Sequence, residues 1–270
     1  MSNQSQFIKR LIFICVLSLL SIVVLTACSN DGDTEKVDDN QINRLDWDRS
    51  ADSILLRIDE IATSESQAYI INTIPPCTVW GDGRLVRLNY LGDTSQVLEA
   101  RLSDEQIREL VENMIGLGFY SWEDDIIPLD TEDPTLQSIS LNLFDNPKTV
   151  ERYDNWPNNG FDQILGLCAG SSATTALVIP DGGWVTAYIL DNFDNEGPLL
   201  DWPRSAPFTL AELASSDEPR WVDGDFAQSL WLDVIRETGI VQLLENGVAY
   251  ELAMEVPSIS RTSQPAPVND

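Results

Sequence analysis

The chain has 270 residues, of which 44 are acidic and 16 are lysine or arginine, for a formal charge of −28. That excess repels nucleic acid and anionic lipid headgroups. It suits cationic partners, divalent ions, or plain solubility in a saline or acidic habitat. Histidine is absent, which excludes Ser-His-Asp and Cys-His catalysis and every histidine-bearing zinc or iron site; the glycine-rich phosphate loops are missing too.

At the N-terminus Lys9 and Arg10 precede an apolar run from Leu11 to Leu25, followed by Thr26-Ala27-Cys28. A charged start, an apolar middle and small residues before a cysteine form an export signal. A single transmembrane anchor is the alternative, but the run is short against the roughly 20 residues that span a bilayer. The segment resembles the lipobox of bacterial lipoproteins. That resemblance implies removal of residues 1–27, a diacylglycerol on Cys28, acyl chains (palmitate among them) and an extracytoplasmic, lipid-anchored protein of the cell envelope. Residues 28–50 are polar and acidic and are expected to be a flexible tether.

From there the periodicity predicts antiparallel hairpins with helices between them. Thr78-Val79-Trp80 turns through Gly81-Asp82-Gly83 into a strand in which Val86, Leu88 and Tyr90 alternate with Arg87 and Asn89. Ser103 with Gln106 three residues on reads as a capping box. Ile107, Leu110, Val111, Met114 and Ile115 follow at helical spacing, and Gly116 and Gly118 end the helix. Ile139, Leu141 and Leu143 then alternate with polar residues before the turn at Asp145-Asn146-Pro147.

The second half repeats this order. Thr175–Ile179 and Trp184–Leu190 flank Asp181-Gly182-Gly183, and Asp225 can cap a helix carrying Phe226, Leu230, Trp231 and Val234, with Gly239 as its stop. Asn246-Gly247 is a strong hairpin signal before the alternating run Val248 to Val256. The expected architecture is therefore α+β, as two similar lobes at 51–169 and 170–257, with a disordered tail at 258–270.

The stretch Pro76-Cys77-Thr78-Val79-Trp80-Gly81-Asp82-Gly83, with Leu102-Ser103, Gly118-Phe119, Asp133-Pro134-Thr135 and Lys148 to Tyr153, resembles a small domain of unknown function in bacterial secreted proteins and lipoproteins. Trp202-Pro203, Trp221 to Asp225, and Asn246 to Pro257 resemble the C-terminal pattern of uncharacterised bacterial lipoproteins. Neither resemblance implies an activity, and no functional residue carries over.

Of four cysteines, Cys15 leaves with the signal and Cys28 takes lipid, so Cys77 and Cys168 remain. In an oxidising compartment they form a disulfide, or stay as two buried thiols. Asp191, Asp194 and Glu196 lie in a run that starts like a calcium loop, but Pro203 stands where a bidentate glutamate is needed; a looser calcium site competes with the favoured reading of an acidic surface loop. No other cofactor is implied. Trp80, Trp184 and Trp231 fall in apolar patterns and are expected in the core, whereas Trp122, Trp156 and Trp202 sit in loops and are expected on an exposed binding surface.

Two functions are compatible with these residues. One is a non-catalytic interaction module that meets an envelope protein or a glycan. The alternative is a carboxylate-based, glycosidase-like hydrolase of extracellular polysaccharide, drawing on Glu123, Asp124 and Asp125 beside Trp122 or Asp223 and Asp225 beside Trp221.

Overall fold

In a computed structural model of the protein the described residues are 45–62, 65–91, 94–127, 134–172, 174–190, 199–216, 218–236, 242–262 and 264–267. The export signal, Cys28, most of the expected tether, and Asp191, Asp194 and Glu196 lie outside them.

The end of the expected tether is part of the fold. Trp47 is 1% exposed, its Nε1 donates to the Gly81 main-chain oxygen at 2.9 Å, and the Arg49 guanidinium lies over its ring. Gly81 has to be glycine, because a Cβ there would stand 1.7 Å from the Asp48 oxygen.

A seven-stranded sheet follows, formed by β1 (Ile54–Ala62), β2 (Cys77–Trp80), β3 (Arg84–Leu91), β4 (Thr94–Arg101), β5 (Thr135–Leu141), β6 (Lys148–Arg152) and β7 (Ala176–Leu177) in the order β6-β5-β1-β2-β3-β4-β7, with every neighbouring pair antiparallel. The helix α1 (Gln67–Asn72) lies between β1 and β2 in the chain. The capping box of Ser103 and Gln106 closes both ways and opens α2 (Asp104–Gly116); Gly118, at φ 90°, takes the left-handed conformation just beyond it. α3 (Gly160–Gly170) follows, with Phe161, Ile164 and Cys168 on its buried face.

The middle of this sheet is buried on both faces. On one, Leu56, Ile58, Val79, Leu85 and Ile139 share a core with Ile107 and Met114 of α2 and Phe161 and Ile164 of α3. On the other, Trp80, Val86 and Val97 pack into a second core with residues from the C-terminal half. All four residues of β2 are consequently buried, a continuous pattern rather than an alternating one.

The C-terminal half builds a five-stranded sheet from β8 (Gly182–Ile189), β9 (Leu199–Asp201), β10 (Arg220–Asp223), β11 (Gln242–Glu245) and β12 (Val248–Glu255) in the order β10-β8-β12-β11-β9, of which only the β9–β11 pair is parallel. Its helices are α4 (Leu210–Ala214) and α5 (Gly224–Ser229), the latter continuing in wider π-type turns through Leu230–Ile235. Asp223, not Asp225, occupies the N-cap position of α5. Asn246 and Gly247 take φ of 51° and 81°, the left-handed pair that a tight two-residue hairpin requires.

The α+β class holds, but two separate lobes do not appear. Residues 44–270 form one compact unit. The boundary near residue 170 is crossed in both directions. Ile74, Trp80, Val86 and Val97 join the core of the second sheet, while β7 leaves the second half to pair with β4. The hairpin expected around Asp181 is thus absent, since its first strand belongs to one sheet and its second to the other. Asn72 adds a further link: its side-chain amide donates to Leu252 O at 2.8 Å and its oxygen accepts from Met254 N at 2.9 Å, bonding β12 as a paired strand would.

Residues 259–261 of the expected tail are held by the fold. Ile259 and Ser260 are buried, Ser260 Oγ accepts from Val256 N, and Arg261 binds both carboxylate oxygens of Asp59 on β1. Disorder was expected because a polar, proline-bearing terminus has little to bury; the partner that orders it stands 202 positions earlier. No described helix is long and apolar enough to cross a membrane.

Candidate functional site

The three tryptophans expected on the surface are buried, at 5%, 7% and 7% exposure for Trp122, Trp156 and Trp202. Their loops fold inward because each indole finds aromatic partners. Trp122 packs edge-on between Phe119 and Trp156, at 5.8 and 5.9 Å, and Trp156 continues to Phe161. Trp156 Nε1 donates to Gln137 Oε1 at 2.7 Å. Gly160 makes room, since a Cβ there would lie 2.2 Å from the Trp122 ring. Trp202 donates Nε1 to Phe208 O at 3.0 Å and stands beside Phe208 and Phe226.

The tryptophans that face outward are a different pair. Six of the eight are buried, and the partly exposed two are Trp184 on β8 and Trp221 on β10. They are directly opposed across the two strands, with ring centroids 5.3 Å apart and planes at 67°. Gly182 holds the arrangement open, because a Cβ would stand 2.4 Å from the Trp221 ring. Trp184 falls in an apolar strand pattern and was expected in the core, but a strand has two faces and the pattern does not say which one the rest of the chain covers.

Beside this shelf runs a groove of about 410 Å³ whose walls include Leu177, Ile179, Pro180, Trp221 and Ala266. Leu177 and Ile179 are 42% and 50% exposed. Arg84 and Glu99 also line it and pair at 2.8 Å, with the Arg84 guanidinium over Trp80. Contiguous exposed apolar side chains mark interaction sites or ligand-binding grooves.

A larger cleft of about 920 Å³ lies between Trp202 and the β11–β12 turn, with Asp201, Glu212 and Glu245 among its residues. Two of these carboxylates are engaged at the start of α4: Glu212 Oε2 accepts from Thr209 N and Glu245 Oε2 from Ala211 N. Of the acids considered for hydrolysis, Asp124 accepts from Glu151 N at 2.9 Å and Asp125 pairs with Arg152 at 3.2 Å, both fastening the chain to β6. Asp223 and Asp225 are exposed around the first turn of α5. The carboxyls whose titration is displaced move downward and lie elsewhere. Asp46 is lowered chiefly by its hydrogen bond from Arg49; in Asp82 burial acts upward but is outweighed by the Arg101 and Arg84 bonds. Burial pushes the Arg236 guanidinium down to about 10, where it lies over the Trp231 ring.

Cys77, in the centre of the seven-stranded sheet, and Cys168, on α3, are placed at disulfide-bonding distance with Cα atoms 6.6 Å apart, and both are fully buried. Among the described residues no group of three or more cysteine, aspartate or glutamate side chains is arranged to hold a metal ion. No protein-family model matches the chain, and no similar protein was found among the curated proteins or the solved structures.

Proposed function

We propose that the protein is a lipid-anchored, extracytoplasmic interaction module of the cell envelope, non-catalytic, and that it binds its partner on the Trp184–Trp221 shelf. The observation that carries this reading is the pair itself: two adjacent, partly exposed indoles, beside a groove with apolar walls at Leu177 and Ile179, on a chain that buries its other six tryptophans. Tryptophan is favoured at binding centres because it offers a large rigid surface at little conformational cost. The arrangement of Asp124, Asp125, Glu212 and Glu245 as structural acceptors favours binding over carboxylate hydrolysis.

The anchor rests on the lipobox-like segment before Cys28. A buried Cys77–Cys168 pair at bonding distance is in keeping with an oxidising compartment. Labelling cells with radioactive palmitate and separating membrane from soluble fractions tests the anchor. Wild-type protein is expected to take up label and sediment with membranes, and Cys28→Ala to do neither. Unlabelled wild-type protein in the soluble fraction would overturn it.

A further inference from the structure

Building on the shelf as the binding surface, we infer that its ligand is an extended, proline-containing peptide segment, and that the chain's own Gln264-Pro265-Ala266-Pro267 fills the seat in cis. Glu255, Trp184 and Trp221 stand in one cross-strand row on the second sheet. The tail bonds two members of that row. Thr262 Oγ1 donates to Glu255 Oε2 at 3.3 Å, the Gln264 main-chain N–H donates to Glu255 Oε1, and Trp184 Nε1 donates to Pro265 O at 3.0 Å.

Each contact has a chemical reason. Proline fixes φ and has no N–H, so a Pro-Ala-Pro stretch is held extended before it binds, with its carbonyls free of local bonding. An indole N–H aimed at such a carbonyl, with a second aromatic ring alongside, is how aromatic-lined grooves take proline-rich segments. Glu255 accepts from the residues just before the first proline and so sets the register. Ala266 forms one wall of the groove that continues past Leu177 and Ile179. A partner segment of this kind would take the tail's place on Glu255 and Trp184 and lay further apolar side chains along those two residues. Basic residues flanking it would be favoured by a chain of charge −28.

Because the tail is tethered, its local concentration is on the order of millimolar, and a segment in trans binds only in the fraction of time the seat is open. The test uses the full-length chain and a fluorescently labelled peptide of its own residues 262–267, followed by fluorescence anisotropy. Wild-type protein is expected to bind weakly. The variant Pro265→Gly with Pro267→Gly, whose cis segment is weakened, is expected to bind roughly ten-fold more tightly or better. Adding Trp184→Phe, which keeps a ring but removes the donor, should weaken that binding about five-fold, one hydrogen bond's worth, with the unfolding midpoint unchanged.

Binding no tighter in the tail variant than in wild type would overturn the inference, and so would indifference to Trp184→Phe. Trp184-dependent capture of a native envelope partner, together with a peptide that fails to bind, would overturn the proline-segment specificity alone and leave the proposed function standing.

Discussion

Arg261 grips both carboxylate oxygens of Asp59, with Nη2 at 2.6 Å from Oδ1 and Nε at 2.9 Å from Oδ2, joining the C-terminal segment to β1. The same guanidinium donates to the main-chain oxygens of Ile70 and Glu60. Side-chain exposures of 14% and 8% put the pair largely out of solvent. Removing one partner of a buried pair strands the other, so Arg261→Ala should cost about 3 kcal/mol of stability. Arg261→Lys should recover part of that, since a lysine offers the charge without the fork. Urea denaturation of the three proteins gives the comparison. A loss below about 0.5 kcal/mol for the alanine variant would show that the tail does not secure the fold.

The Cys77–Cys168 pair spans 91 residues, and a bond there would contribute up to about 4.6 kcal/mol in the chain-entropy model. Unfolding monitored with and without reductant should show a clear drop in midpoint, and alkylation under denaturing conditions should label neither sulfur until reductant is added. Immediate labelling of both in the unreduced protein would mean the sulfurs sit at bonding distance as free thiols.

Asn72→Leu is expected to cost about 2–4 kcal/mol, because it leaves Leu252 O and Met254 N without their partner in the interior. Asn72→Asp keeps the acceptor for Met254 N but places a second oxygen against Leu252 O, and should also destabilise. If both variants unfold with wild-type midpoints, the side chain does not complete the pairing of β12.

Acid should weaken the turn between β2 and β3. Asp82 accepts from Arg101 and from Arg84 N, and its carboxyl is held below its ordinary value despite partial burial. A carboxyl lowered in the folded state binds its proton more readily when unfolded. Its stabilising contribution is therefore complete above an unfolded value near 4 and is lost as pH falls through the lower folded value. Asp82→Asn should accordingly lie below wild type in stability at pH 7 and approach it on acidification. A gap that stays constant from pH 7 to pH 2 would remove Asp82 from the acid response.

What could be read from the sequence was local. The capping box at Ser103 and Gln106 and the turns at Gly81–Gly83 and Asn246–Gly247 are settled by residues within a few positions of each other, and the structure has all three. The burial of β2 on both faces was hidden, because it depends on a second sheet contributed by residues after 182. The change of sheet between Leu177 and Gly182 leaves no local mark beyond Pro180. Trp47 lies in the stretch expected to be a tether, yet it is held by Gly81. Tryptophans in loops looked exposed and those in strands looked buried. Contacts with Phe119, Phe161, Phe208 and Phe226 reversed the first expectation at Trp122, Trp156 and Trp202, and an only partly covered sheet face reversed the second at Trp184.

The most direct test of the shelf is affinity purification of the full-length protein from detergent-solubilised native envelopes, run in parallel for wild type, Trp184→Phe and Trp221→Ser. Wild type should retain a partner, and both variants should lose it while remaining folded by circular dichroism. The same partner held equally by all three proteins would contradict the assignment of Trp184 and Trp221 as the binding surface.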